Sequence, residues 1–122
     1  MDWSFKKFEN DCIIEVPGNI FNDVVTESLK EFIKDLSDND YKVFFLDMSQ
    51  ISKVNSKSLA SIINIYQFAN CYDIEIKLFN LHPYVSQLIY QTRLNQIFDI
   101  CDPSHEIYSK NSVISINSRK TA

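Results

Sequence analysis

The stretch VFFLDMSQISKVNSKSLASII, residues 43–63, decides the fold. Val43-Phe44-Phe45-Leu46 is apolar on every residue, the signature of a central strand covered on both faces rather than a half-exposed one. Asp47-Met48-Ser49 leaves that strand, and Gln50 to Asn55 form a polar connection. Leu59, Ile62, Ile63 and, just beyond, Tyr66 then recur at helical spacing, which predicts an amphipathic helix over about Ser56 to Cys71. Strand, loop and helix in this order make half of a parallel crossover unit.

Working outward, the same unit repeats. Residues 3–8 mix aromatic and polar positions and read as an edge strand, while Cys12 to Val16 is a β-branched strand that Pro17-Gly18-Asn19 brings to an end. From Asn22, a plausible N-cap, the apolar positions Val25, Leu29, Phe32, Ile33 and Leu36 step by three and four. Asp23 sits in the first turn, where the helix dipole favours negative charge, and Ser37-Asp38-Asn39-Asp40 ends the helix. Ile74, Ile76 and Leu78 alternate with Glu75 and Lys77 as a strand, a third helix begins near Pro83 over Val85, Leu88 and Ile89, and 97–101 reads as a short last strand. Residues 103–115 read as a fourth helix, against the strand-like alternation of Val113-Ile114-Ser115-Ile116, and 117–122 should fray. The expectation is an α/β domain whose mainly parallel sheet has about four to five strands, at 12–16, 42–47, 74–79 and 97–101, with 3–8 added antiparallel or at the edge.

Composition narrows function by exclusion. A chain of 122 residues with 45% hydrophobic and 23% charged residues suits one globular domain. Twelve Lys and Arg against sixteen Asp and Glu give a net charge of −4, so nucleic acid, whose phosphates demand a basic surface, is a poor partner. The single glycine, Gly18, excludes every glycine-rich phosphate cradle. His82 and His105 complete no zinc set, so no metal or cofactor is expected. Cys12, Cys71 and Cys101 stand among apolar residues and read as buried free thiols in a reducing cytosol. The charged start MDWSFKKFEN has no signal-like apolar core and no apolar run approaches a membrane span, so a cytoplasmic, soluble protein is expected.

The segment 46–63 resembles the signature of STAS domains, the anti-sigma factor antagonist family, in which a buried strand ends in Asp or Asn and a loop leads to Asp-Ser-Ser-Gly-Leu at a helix start. The corresponding residues are Leu46-Asp47-Met48-Ser49, Ile51, Val54 and Asn55-Ser56-Lys57-Ser58-Leu59. Val16-Pro17-Gly18-Asn19-Ile20 is similar to the family's glycine turn, Asn80-Leu81-His82-Pro83 to its strand-to-helix junction, and Thr92-Arg93-Leu94 with Ile97-Phe98 to its Ser-Gly-Leu and last strand. The likeness runs over about residues 3–110, so a STAS-like domain over 1–110 and a C-terminal extension over 111–122 are expected.

The resemblance implies a cytoplasmic partner-switching regulator of transcription. It would bind a kinase or anti-sigma-type protein as a monomer or weak dimer, and phosphorylation would cancel the binding. The phosphoacceptor position is Ser56, with Asp47, Ser49, Asn55, Lys57 and Ser58 as partner-binding candidates. The position suits that chemistry, because a phosphate at a helix N-terminus meets free backbone N–H groups and the positive dipole end. Asn55 stands for the family's Asp, Lys57 for its second Ser and Ser58 for its Gly. From the residues alone Ser56 reads first as a helix cap, and Asp47 and His82 as junction residues; it is the resemblance that sets a regulatory role for Ser56 level with the cap. A STAS module that is never phosphorylated, serving as a structural subunit of a larger complex, is the alternative. An enzyme is the weakest class, since no nucleophile–base pair or paired carboxylates can be located.

Overall fold

The computed structural model describes residues 3–8, 11–18 and 21–101. Its elements are β1 (Ser4–Phe8), β2 (Asp11–Glu15), α1 (Asp23–Ser37), β3 (Val43–Asp47), α2 (Ser56–Cys71), β4 (Glu75–Phe79) and α3 (Pro83–Gln91), followed by a 3-10 turn at Leu94–Gln96. The strands lie side by side in chain order, β1 antiparallel to β2 and β2, β3 and β4 mutually parallel. Each crossover advances one strand in one direction, so right-handed connections put α1 and α2 on the same face.

Register explains the residue pattern. The rows Cys12–Phe44–Ile76 and Ile14–Leu46–Leu78 run across the parallel strands and face the helices, where they join Leu29, Ile33, Ile62, Ile65, Val85 and Ile89 in the main core. The alternate rows turn to the second face, where Ile13, Phe45, Phe79 and Cys101 make a smaller cluster with Val43 at its margin. Burial on both faces is why β3 carries no polar residue before Asp47.

The helices begin as their caps require. The Asn22 side chain accepts from the Val25 N–H at 3.0 Å, and His82 Nδ1 accepts from the Tyr84 N–H at 3.2 Å, with Pro83 at the first helical position. Gly18 has φ +83, a left-handed conformation that glycine adopts without strain. Trp3 is fastened to α1 through its indole N–H, 3.1 Å from Ser28 Oγ, and by stacking on Phe32.

Two expectations need correction. The last strand over 97–101 shrinks to one parallel bridge, Leu78 with Ile100, held by Leu78 N–H to Asp99 O at 2.8 Å and Cys101 N–H to Leu78 O at 2.7 Å. The preceding 3-10 turn delivers the chain to β4 too late for a longer pairing, and leaves Ile97 57% exposed. Cys71 is exposed at the end of α2, whereas Cys12 and Cys101 are buried. The helix or strand weighed for 103–115, and the fraying of 117–122, lie outside the described residues.

Candidate functional site

The site grows from the carboxyl end of β3, the edge where parallel sheets present functional groups. Asp47 is half-buried there, and its Oδ1 accepts from the Ser49 N–H at 3.0 Å and from Asn80 Nδ2 at 3.2 Å. One carboxylate thereby fixes both the loop leaving β3 and the turn leaving β4. Asn80 holds φ 58, a left-handed backbone that asparagine tolerates better than most residues. Asp47 is engaged in organising the loop, and Ser49 is exposed just beyond it.

Three apolar side chains anchor the loop to the core. Met48 and Ile51 are wholly buried and Val54 nearly so, while Ser49, Gln50, Ser52, Lys53 and Asn55 point outward. Met48 N–H to Phe79 O, 3.0 Å, and Ile51 N–H to Met48 O, 3.0 Å, complete the backbone fixing. A polar loop pinned at every third position or so holds its outward side chains in a set arrangement, which is what a recognition surface needs.

The start of α2 separates two roles that the sequence left merged. Asn55 is the cap, its Oδ1 accepting from the Ser58 N–H at 2.9 Å and from Ser58 Oγ at 3.1 Å. Ser58 is buried, 1% exposed, so it belongs to the cap's interior and not to the outward surface. Ser56, the first residue of α2, is exposed, and its hydroxyl makes no hydrogen bond among the described residues. Lys57 is likewise exposed in the first turn. A lysine there opposes the helix dipole by about 0.3–1 kcal/mol.

Beyond this turn the outward side of α2 is small and uncharged, with Ala60, Asn64 and Gln67 exposed and Ile63 half-buried. No Asp or Glu occurs from Met48 through Tyr72, although the chain as a whole is acidic. Val24, in the first turn of α1, is 69% exposed. The two helices are tied there by Ser61 Oγ donating to Asp23 Oδ1 at 3.3 Å.

Among the described residues, no His, Cys or carboxylate is hydrogen-bonded to Ser56, and no group of three or more His, Cys, Asp or Glu side chains could hold a metal. His82 is occupied as the cap of α3. Burial pushes the Tyr66 phenol above its ordinary range, but Tyr66 serves as a strut, donating to Ile76 O at 3.0 Å and accepting from the Asp99 N–H at 2.9 Å. Sequence reading took Asp23 as a first-turn residue and Asn80 as part of a junction; their bonds to Ser61 and Asp47 escaped it because each spans more than thirty positions of chain.

Three comparisons with known proteins bear on this geometry. The STAS domain family model matches residues 2–107. No curated protein matches the sequence closely enough to count as a relative. Among solved structures, TM1081 of Thermotoga maritima, described as an anti-sigma factor antagonist, superposes with a TM-score of 0.68 at 21% identity, covering 91% of this chain and 95% of its own. The anti-sigma factor antagonist SpoIIAA in its unphosphorylated form gives 0.64 at 12% identity, over 93% and 99% of the two chains. The Bacillus protein in its phosphorylated form gives 0.61 at 10%, over 92% and 100%. At these identities the likeness is one of fold.

Proposed function

Because the chain belongs to the STAS domain family, we propose that it is a regulatory binding protein, a cytoplasmic anti-sigma factor antagonist or partner-switching relative. Its surface for a kinase or anti-sigma-type partner is the loop Ser49–Asn55 with the outward side of α2. The switch is phosphorylation of Ser56. The observation that carries this reading is the division of labour at the helix start: Asn55 does the capping, and the Ser56 hydroxyl is left exposed and uncommitted. Among the described residues no base is hydrogen-bonded to that hydroxyl, and in this reading the phosphoryl group is delivered by another enzyme.

The physics of the switch is local. A phosphate on Ser56 sits among the unpaired N–H groups of the first turn, so the helix tolerates it. A docked partner does not, because about −1.5 to −2 of added charge must be desolvated or repelled at the interface. Lys57, the next residue and also exposed, would offset part of that charge. No large rearrangement of the fold is required, and no metal or cofactor takes part.

The test is binding of the wild type, Ser56→Ala and Ser56→Asp to the partner recovered by cross-linking in the native cells. Ser56→Ala should bind as the wild type does, and Ser56→Asp should bind at least tenfold more weakly. Equal affinity of all three would remove the switch and leave a module that binds constitutively.

A further inference from the structure

The chain is acidic, but its charges are unevenly placed. From Met48 through Tyr72 the only charged residues are Lys53, on the loop, and Lys57, in the first turn of α2, and both are exposed. α1, by contrast, carries Asp23, Glu27, Glu31 and Asp35 at four-residue steps, all exposed. Its own lysines are met within the chain, Lys30 by Glu27 at 3.1 Å and Lys34 by Asp38 at 2.9 Å. Lys77 is likewise held by Glu75 and Asp99, at 3.0 and 3.2 Å, and Lys7 lies over the Phe5 and Tyr41 rings.

Lys53 and Lys57 are different, for neither makes an ion pair among the described residues. The carboxylates joined to this area are turned to other groups. Asp47 accepts from the Ser49 N–H and from Asn80, and Asp23 accepts from Ser61 Oγ. Lys57 also stands at the positive end of the helix dipole, where a cation is unfavourable, in a first turn that has no acidic residue. Neither helix stability nor a contact within the chain accounts for these two charges. An exposed pair of cations on a face without carboxylates complements a partner patch of the opposite sign.

Resting on the partner surface proposed above, we propose that the protein docked there presents carboxylates to Lys53 and Lys57. The switch then works by substitution. A phosphate on Ser56 lies beside Lys57, well inside the screening length of about 8–10 Å, and satisfies the charge that the partner's carboxylates would otherwise meet.

Charge reversal tests this on the full chain, against the purified partner recovered by cross-linking. Lys53→Glu and Lys57→Glu should each weaken binding at least about tenfold, as close charge pairs across an interface do when reversed. Lys42→Glu, exposed just before β3 at the other end of the sheet, should change binding less than about twofold, as expected of a charge outside the interface. Lys57→Glu should at the same time be no less stable than the wild type in urea unfolding, since it favours the dipole, so its weaker binding is not loss of fold. Raising the ionic strength from about 0.05 to about 0.5 M should weaken the wild type and leave the Lys53→Glu, Lys57→Glu double variant nearly unchanged. Lysine variants that bind as the wild type does, while Ser56→Asp binds weakly, would overturn the acidic partner and leave the switch standing. Weak binding of both lysine variants with full binding of Ser56→Asp would support the acidic partner and remove the switch.

Discussion

Asn55 and Ser56 are neighbours with opposite commitments, one tied into the helix start and the other free of it. Replacing Asn55 by Ala removes the acceptor for both the Ser58 N–H and the buried Ser58 hydroxyl, so stability should fall by about 1–2 kcal/mol in urea unfolding. Asn55→Asp restores the carboxylate seen elsewhere in the family at this position, keeps the cap and adds a favourable charge at the dipole. It should be neutral or stabilising by up to about 1 kcal/mol. A loss as large as that of Asn55→Ala would show that Asn55 acts through its amide and not through Oδ1. By contrast, Ser56→Ala should change stability by less than about 0.5 kcal/mol, as expected of an exposed side chain without a partner. At this scale the position of Ser56 at a helix start was legible in the sequence through its family resemblance, but its freedom was not. Which of two adjacent capping residues bonds the turn depends on backbone angles, and Asn55 wins with an extended φ of −131.

At the scale of elements, the amphipathic helices were the clearest part of the sequence. The spacing of Val25, Leu29, Ile33 and Leu36 marks the buried side of α1, and the predicted limits of α2, Ser56 to Cys71, are those observed. The strand expected at 97–101 fails because alternation over five residues reports only which side chains seek cover, and not how much of the neighbouring edge the chain can reach. The turn before it explains the shortfall and carries its own prediction. Arg93 holds φ 64 where the family pattern has glycine, and a side chain in that conformation costs about 1–2 kcal/mol against glycine. Arg93→Gly should therefore raise stability by about 0.5–1 kcal/mol, once the greater freedom of glycine in the unfolded chain is subtracted. A destabilised Arg93→Gly variant in urea unfolding would mean that the Arg side chain holds the 3-10 turn in a way its geometry does not reveal.

For the whole molecule, the two faces of the sheet bury thiols, and this sets an alkaline limit. Burial pushes Cys12 up from its ordinary value of 9.0 to about 12, and raises Cys101 in the same direction. The unfolded chain loses the thiol proton first, so stability is unaffected below about pH 9 and falls as pH rises towards 12. Cys12 contributes about 1.4 kcal/mol per pH unit in that window. Under reducing conditions, Cys12→Ala should start less stable but show a shallower loss between pH 9 and 10.5, and an equal slope would contradict the assignment. The overall architecture was legible because alternating strands and helices of these lengths permit little besides a parallel sheet with right-handed crossovers. The central claim, that the fold presents Ser56 to a modifying partner, is tested most directly by the intact mass of the protein taken from its native cells, with peptide mapping across Ser49–Leu59. The account predicts a fraction heavier by one phosphoryl group, carried on Ser56 and absent from Ser56→Ala. A mass unmodified at Ser56 under every growth condition would contradict it.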